Sequence, residues 1–296
     1  MRGNEVHSPR ECRALLAAAF PGLRLGAVRF LAEGWDNTAF LVDEAGGALV
    51  FRFPRHALGD RLLTVEIALL AAIGARLPLP IPSYRHVSGP VPGFPWHTAG
   101  YRLIPGQPLE AVAVHAAEPL AAPLAAFLAA LHATPARLLP PELPRFTPAS
   151  WLALHDRLVA EALPAIARDD AALAGRVGGW WEGYRRDPRA AAFTPTLIHG
   201  DLATEHILID EAGRPSGVID FGDARLADPA LDLAGLPDAL FAAVARRLPD
   251  LDAGAALRRA AYRRCVPLHA IAAAGRLGRP ELLAEGLEGL QRAFPE

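Results

Sequence analysis

The sequence contains no lysine: all 30 of its lysine-or-arginine positions are arginine. This absence excludes enzymes that form a Schiff base on a lysine side chain, among them the usual pyridoxal phosphate enzymes and the imine-forming aldolases. It also excludes the GxxxxGK[ST] type of phosphate-binding loop, which requires a lysine at a fixed position. Any contact of this protein with an anion therefore depends on arginine, on backbone amides or on a metal ion.

Cysteine, net charge and uninterrupted apolar runs are scarce as well. The two cysteines, Cys12 and Cys265, fit neither a metal-ligand spacing nor a disulfide framework, so we expect a cytoplasmic protein. The formal net charge of −2 gives no basic excess, and we therefore expect neither nucleic acid nor an anionic membrane as a partner. The N-terminal residues lack the apolar run of a signal peptide. The most apolar long stretch, residues 111–133, contains two prolines and a glutamate, which argues against a membrane span.

The order of apolar patterns predicts an α+β protein with two lobes. Three short apolar segments separated by glycines predict antiparallel strands at residues 28–34, 37–47 and 48–55. One helix-like segment follows, and beyond Pro105–Gly106 the chain is mainly helical apart from residues near 196–220. We therefore expect a small antiparallel-sheet N-terminal lobe over residues 1–103 and a larger helical C-terminal lobe over residues 104–296.

Two short segments, His199–Leu202 and Ile219–Asp223, carry the residues best suited to chemistry. Asp201 follows an apolar, strand-like segment through a glycine, which predicts a tight loop at the end of a strand. The apolar blocks HILID and GVID flank GRPS, a pattern typical of a hairpin, and this hairpin is expected to return Asp220 to that loop. With His206 at the start of its first strand, two carboxylates and an imidazole are expected to converge. Such ligands suit Mg²⁺, and the imidazole also suits Zn²⁺.

These segments resemble the catalytic segment of the aminoglycoside phosphotransferase family, antibiotic kinases that share the two-lobed protein-kinase fold. The family pattern HGDxxxxN, followed by a strand ending in ID[FW], is matched here by HGDLATEH and VIDFGDA. The histidine in the asparagine position and the DFGDA ending are most similar to the branch that phosphorylates the 2″-hydroxyl of aminoglycosides, and macrolide kinases share the histidine. The resemblance implies that Asp201 orients and deprotonates the acceptor hydroxyl. It also implies that His206 and Asp220 bind the Mg²⁺ that bridges the phosphates of ATP or GTP.

The resemblance continues upstream, in the same order, from residue 28. EGWDN (33–37) is similar to the family's phosphate-covering loop, FRFPRH (51–56) to its third strand, and VEIALL (65–70) to the helix with an ion-pair glutamate. GYRLIPGQPL (100–109) is similar to the hinge that binds the purine. The nucleotide-binding residues that the resemblance implies are Arg52, Glu66, Gly34, Asn37, Thr38, Tyr101, Arg102 and Leu103. The stretch LADPALDLA (226–234) resembles the family's DPxxDLA stretch, for which a structural role is expected.

The sequence departs from the family at Arg52, where the kinases keep a lysine. Arginine neutralises phosphate and binds carboxylates with two nitrogens, but it is longer and planar, so bound phosphate is expected to be displaced slightly. This departure favours one alternative to a kinase, a non-catalytic nucleotide- or drug-binding relative. A second alternative is a Zn²⁺ hydrolase that uses His199, Asp201, His206 and Asp220.

The acceptor expected from the resemblance is an aminoglycoside, bound by a monomer. Aminoglycosides are polycations, so a kinase for them is expected to gather acids on its C-terminal lobe, with Asp223 and Asp238 as candidate contacts. However, residues 232–296 contain eight acidic residues and nine arginines, so this stretch has no acidic excess. This balance leaves open a less cationic hydroxylated acceptor, such as a macrolide, a nucleoside antibiotic or a metabolite.

Overall fold

The protein is represented by a computed structural model that describes residues 5–112 and 117–295. They fall into two compact units, the first formed by Met1–Leu143 with Thr204–Ala224 and the second by Pro144–Ala203 with Arg225–Glu296. The first unit thus contains residues that we had expected in the helical lobe, including the hairpin. The lobe boundary expected between residues 103 and 104 stays a prediction.

Strands and helices follow the order that the apolar patterns predict. The strands are β1 (Val28–Glu33), β2 (Asn37–Glu44), β3 (Gly47–Pro54), β4 (Tyr84–Ser88), β5 (Thr98–Arg102), β6 (Gln107–Pro108), β7 (Thr196–Ile198), β8 (Ile207–Ile209), β9 (Pro215–Val218) and β10 (Arg225–Ala227). The helices are α1 (Pro9–Ala19), α2 (Ala57–Ile73), α3 (Glu118–His132), α4 (Pro148–Asp169), α5 (Ala171–Arg186), α6 (Asp238–Ala245), α7 (Ala255–Leu277) and α8 (Pro280–Ala293).

The first unit is built on a five-stranded antiparallel sheet of order β1-β2-β3-β5-β4. Gly46 and Gly47 join β2 to β3 with φ angles of 122° and 127°, a left-handed region that favours glycine, and this confirms the predicted turn. The helix α1 begins with a capping box between Ser8 and Glu11. Its buried face packs on the phenylalanines of β2 and β3, so an apolar core fixes one face of the sheet.

The predicted hairpin is confirmed as β8 and β9, but its ends differ from the prediction. The strand β8 begins at Ile207, and His206 ends a short 3₁₀ turn before it. The strand β9 ends at Val218, two residues before Asp220. Asp220 has a φ of 65°, a left-handed conformation that interrupts extended structure, so Asp220 lies beyond the strand rather than at its end.

The second unit consists mainly of helices packed around an apolar core. The strands β7 and β10 form a two-stranded antiparallel sheet, and α4, α5, α7 and α8 bury a continuous cluster of aliphatic and aromatic side chains. In the described ranges, no helix combines the length and the apolarity that crossing a bilayer requires. This composition confirms the predicted α+β class, with an antiparallel sheet in the N-terminal region and helices in the C-terminal part.

A buried ion pair holds the core of the second unit. The guanidinium of Arg258 is inaccessible to solvent, and its Nε lies 2.6 Å from Asp228 Oδ2, which is equally buried. Asp252 binds the same guanidinium, and the hydroxyl of Tyr262 donates to Asp228. Because charges removed from water are costly unless they are paired and hydrogen-bonded, this arrangement depends on all of its members.

Replacing Arg258 therefore tests the packing of the second unit. We expect Arg258→Met to lower the free energy of unfolding by about 3–5 kcal/mol, because Asp228 would stay buried without its counter-charge. The matched control is Arg263→Met, which removes an exposed pair with Asp238 and is expected to cost less than about 1 kcal/mol. Urea unfolding followed by circular dichroism measures both values, and equal losses would contradict the account.

Candidate functional site

The predicted pair of Arg52 and Glu66 is present in the first unit. Arg52 on β3 places Nη1 2.9 Å from Glu66 Oε1 and 2.8 Å from Oε2 on α2, and both side chains are buried. The chain order explains the encounter, since the strand that carries Arg52 directly precedes α2, and Glu66 belongs to the buried face of α2. The single charge of Glu66 is thus held by one nitrogen of the guanidinium, which leaves the other nitrogen for a second partner.

Tyr84 completes this pair and was not predicted. Its hydroxyl donates to Glu66 Oε1 at 2.9 Å and accepts from Arg52 Nη1 at 3.2 Å. Tyr84 begins β4, which lies beside β5 rather than beside β3, so no local pattern connects it with Arg52. The sequence offered only a general signal for this contact, namely that a buried tyrosine usually keeps its hydroxyl hydrogen-bonded.

The second nitrogen of Arg52 binds Asp220. Arg52 Nη2 lies 3.0 Å from Asp220 Oδ1, and 45% of the Asp220 side chain is exposed. The other oxygen of that carboxylate, Oδ2, lies 3.8 Å from His206 Nε2. The structure therefore brings together three of the predicted residues, Arg52, Asp220 and His206, through a half-exposed carboxylate with one face toward Arg52 and one toward His206.

Burial and neighbouring charges govern the ionisation of this site. Burial raises the pKa of Glu66 above its usual value, and the charge of Arg52 offsets part of that rise. Burial also raises the pKa of Asp36 on the β1–β2 loop; His56 lowers it, whereas Asp223 and Asp220 raise it. The loop and the segment after β9 thus bring several carboxylates within electrostatic range of one another.

His206 and Asp220 are suited to hold Mg²⁺ together with a phosphorylated ligand. Among the described residues, no group of three or more histidine, cysteine, aspartate or glutamate side chains is arranged to hold a metal ion. Mg²⁺ keeps several waters and binds through one or two carboxylates plus substrate phosphates, so the two residues fit it. A zinc hydrolase needs three protein ligands, which the described residues do not provide.

The predicted loop residues present unsatisfied polar atoms. In the described part of the chain, Asn37 Oδ1 and Thr38 Oγ1 are buried and have no hydrogen-bond partner. Gly34 closes the loop, its N–H donating to Asn37 O at 2.9 Å. Buried polar atoms without a partner are rare in folded proteins. Thr38 Oγ1 can donate or accept a further hydrogen bond, whereas Asn37 Oδ1 can only accept one.

The predicted purine-binding residues lie at the end of β5. Tyr101 is buried and its ring lies 5.3 Å from that of Tyr84 in an edge-on contact. The side chain of Arg102 binds Glu44 and Gly46 O on the β2–β3 hairpin, so only its backbone remains for a ligand. The N–H of Leu103 donates to Ala48 O at 2.9 Å and is therefore already used within the sheet.

In the second unit, Asp201 is exposed on a loop whose backbone is hydrogen-bonded to a buried aspartate. The N–H groups of His199 and Gly200 donate to the two carboxylate oxygens of the buried Asp232 at 3.1 and 2.9 Å, and the Asp201 N–H donates to His199 Nδ1 at 3.3 Å. Gly200 has a φ of 88°, which favours glycine. Asp232, in the DPxxDLA-like stretch, thus has the structural role that was expected. The predicted convergence of Asp201 with Asp220 stays a prediction.

The two candidate acceptor contacts differ in environment. Asp223 is exposed on the turn after Asp220. Asp238 is exposed too, but it pairs with Arg259 and Arg263 of α7, and their hydrogen bonds lower its pKa. Asp238 therefore offers a cationic ligand a carboxylate whose charge is already compensated.

Removing the hydroxyl of Tyr84 tests the polar network around Arg52. We expect Tyr84→Phe to lower the free energy of unfolding by about 1–2 kcal/mol, because Glu66 loses a buried donor and Arg52 an acceptor. Tyr101→Phe is the matched control, since the structure shows no hydroxyl hydrogen bond between Tyr101 and a described residue. Chemical denaturation compares the variants, and a Tyr84→Phe loss no larger than the Tyr101→Phe loss would contradict the role assigned to the hydroxyl.

Two solved structures resemble the whole chain. The GDP complex of wild-type aminoglycoside 2'-phosphotransferase-IIIa has a TM-score of 0.85 and 26% sequence identity, covering 97% of this chain and 99% of that one. The apoenzyme of a macrolide 2'-phosphotransferase from Brachybacterium faecium has a TM-score of 0.76 and 25% identity over 97% and 99% of the two chains. These similarities confirm the predicted kinase-like fold.

Curated relatives match shorter parts of the chain. Viomycin phosphotransferase from Streptomyces vinaceus is 36% identical over 103 residues, which are 32% of this chain and 36% of that protein. The uncharacterized protein YcbJ of Bacillus subtilis (strain 168) is 46% identical over 55 residues, or 18% of each chain. The chain therefore spans well under two thirds of the length of these two relatives.

The family itself is fixed by a longer match. The model of the phosphotransferase enzyme family matches residues 27–289, which include the loop at Gly34, the pair of Arg52 and Glu66, and the two segments His199–Leu202 and Ile219–Asp223. The predicted family and the predicted enzyme class are thereby confirmed at the level of the family. The chain belongs to the phosphotransferase enzyme family.

Proposed function

We propose that this protein is a kinase that transfers the γ-phosphoryl group of ATP or GTP to a hydroxyl group of a small antibiotic. The observation that carries the proposal is the fork of Arg52, whose two nitrogens bind Glu66 and Asp220 at 2.8–3.0 Å. A cation fixed in this way beside a half-exposed carboxylate suits a nucleotide with its metal ion, because phosphoryl transfer relies on positioning and charge stabilisation.

The first unit supplies the metal and phosphate contacts in this proposal. Asp220 and His206 hold the Mg²⁺, which neutralises charge on the β- and γ-phosphates when it is bound. The loop at Gly34 covers the phosphates with its backbone amides in this proposal.

The purine is proposed to bind the backbone that follows Tyr101. Because the N–H of Leu103 is bonded to Ala48, the next amide, that of Ile104, is the better donor to a base, and Arg102 contributes its carbonyl. The bulk of the buried Tyr101 favours guanine over adenine in this proposal. GTP is therefore the first donor to test, with ATP as the comparison.

Asp201 acts as the catalytic residue of the second unit in this proposal. It accepts the proton of the acceptor hydroxyl while the hydroxyl oxygen bonds to the γ-phosphorus and the bond to the β–γ bridging oxygen breaks. The nucleoside diphosphate leaves with the electron pair of that bond. The exposure of Asp201 and the support of its loop by Asp232 favour this role.

An aminoglycoside is the first candidate acceptor, since one of the two similar solved structures described above is an aminoglycoside phosphotransferase. A macrolide, a nucleoside antibiotic or a metabolite is the second candidate. The observation that favours it is the pairing of Asp238 with Arg259 and Arg263, which removes one carboxylate from any surface for polycations.

Transfer of labelled γ-phosphate to a panel of acceptors distinguishes these candidates. The panel contains aminoglycosides, macrolides, nucleoside antibiotics, viomycin-like cyclic peptides and hydroxylated metabolites, each tested with GTP and with ATP in the presence of Mg²⁺. Labelling of one class identifies the acceptor. A protein that binds nucleotide but labels no compound supports the non-catalytic alternative.

Replacing Asp201 tests its catalytic role directly. We expect Asp201→Asn to lower kcat by about 10²–10⁴-fold, because the acceptor hydroxyl loses its proton acceptor. The Kd of the nucleotide should stay within about twofold, since the first unit supplies the proposed nucleotide contacts. Asp210→Asn, in the β8–β9 turn, serves as the control and should retain activity. If Asp201→Asn keeps full turnover, Asp201 is not the base.

A further inference from the structure

The loop between β1 and β2 is fastened to the turn that joins β3 to α2. The backbone N–H of Arg55 donates to Asp36 O at 2.9 Å, and its Nη1 donates to Gly34 O at 2.8 Å. The Nε2 atom of His56 lies 3.3 Å from Trp35 O. Three consecutive carbonyl groups of the loop, at residues 34–36, therefore point toward Arg55 and His56.

Each of the two fastening side chains is itself fixed. The guanidinium of Arg55 lies 3.2 Å from Glu33 Oε1 and 3.3 Å from Glu5 Oε2. The ring of His56 accepts the N–H of Gly59 through Nδ1 at 3.1 Å, which places the proton of the neutral ring on Nε2. Nε2 is thus the donor to Trp35 O, and the direction of this hydrogen bond follows from the cap of α2.

The first turn of α2 also touches the loop directly. A Cβ atom added to Gly59 would lie 2.4 Å from Asp36 O, a distance at which something must shift. Glycine is otherwise unfavourable inside a helix, so its place in the first turn of α2 is accounted for by this close approach. The loop is thus held by two side chains and by backbone contact.

The direction of the carbonyls determines the direction of the amides. In a trans peptide the C=O of one residue and the N–H of the next point in opposite directions. The N–H groups of residues 35–37 therefore face away from Arg55 and His56. Successive N–H groups on one side of a turn form a concave arrangement that binds anions. Strand pairing sets Ala39 opposite Arg52, and Asp36 of the loop lies within electrostatic range of Arg52 and Asp220.

We propose that Arg55, His56 and Gly59 are positioning residues for the phosphates of the nucleotide. They turn the carbonyls of the loop away and so aim its amides at the anion, without touching the nucleotide themselves. This inference rests on the proposed function. It assigns a specific task to three residues at the junction of the Arg52 strand and α2, where the family resemblance implied none.

A purely structural fastening would stabilise the first unit without affecting phosphate recognition. The two roles differ in one measurable quantity, the ratio of the Kd values for a nucleoside and its triphosphate. Both ligands share the base and the ribose, and only the triphosphate reaches the loop amides. A structural role changes the melting temperature and leaves the ratio constant.

The experiment uses three variants of the full chain that weaken the fastening from different sides. Arg55→Met removes the bond to Gly34 O; His56→Asn keeps a helix-capping side chain but is too short for Trp35 O. Gly59→Ala adds a methyl group against Asp36 O and is a better helix former than glycine. The control is Arg29→Met, which removes an exposed arginine pair with Asp43 on the same sheet.

Titration calorimetry with Mg²⁺ measures the Kd of GTP, ATP, guanosine and adenosine for each variant. We expect each of the three variants to bind the preferred triphosphate about tenfold more weakly, the loss of one well-directed hydrogen bond, with the nucleoside Kd within about twofold. Arg29→Met should match the unchanged protein. A triphosphate Kd within about twofold in both Arg55→Met and Gly59→Ala, or an equal loss for nucleoside and triphosphate, overturns the inference.

The unchanged protein separates this inference from the proposed function. If it binds neither triphosphate, the proposed function and the inference both fall. If it binds one of them and the variants leave the ratio unaltered, the inference alone falls. Because Gly59→Ala removes no polar contact, a weakened triphosphate affinity in that variant supports the inference even if Arg55→Met proves unstable.

Discussion

The buried guanidinium of Arg52 is the constraint around which the first unit is arranged. A planar cation of this size is stable away from water only if its nitrogens find oxygen partners, and here Glu66, Tyr84 and Asp220 supply them. These partners come from a helix, an outer strand and the segment after the hairpin, so all three elements must keep their register. A lysine has one nitrogen to share, whereas the fork of Arg52 binds two carboxylates through separate nitrogens. In a chain without lysine, the guanidinium of Arg52 is what places a positive charge between the carboxylates of Glu66 and Asp220.

The second unit uses buried acids for support rather than for chemistry. Asp232 accepts hydrogen bonds from the backbone amides of His199 and Gly200 and so fixes the loop of Asp201. Asp228, which precedes Asp232 in the chain, is bound to Arg258. Both acids come from the same stretch, residues 226–234. These hydrogen bonds hold the loop that carries the exposed Asp201, which suits the catalytic role proposed for it.

The sequence alone was sufficient for the features that depend on local patterns. The sheet, the glycine turn at residues 46–47 and the β8–β9 hairpin followed from apolar segments and turn residues, and the pair of Arg52 and Glu66 followed from the family resemblance. The left-handed Asp220 was not predictable, because that conformation is unusual for a residue other than glycine. Tyr84 and the Arg55–His56 fastening also escaped prediction, since their partners are set by strand order and by the approach of α2 to a loop. Likewise, only the folded chain pairs Asp238 with α7.

The central claim is that Arg52, Asp220 and His206 form a site for a nucleoside triphosphate with Mg²⁺. Calorimetric titration of the unchanged protein and of Asp220→Asn with GTP and ATP, each with Mg²⁺ or with EDTA, tests it most directly. The account predicts that the unchanged protein binds a triphosphate more tightly with Mg²⁺ than with EDTA, and that Asp220→Asn loses this difference. Absence of binding, or an identical magnesium dependence in both proteins, would contradict it.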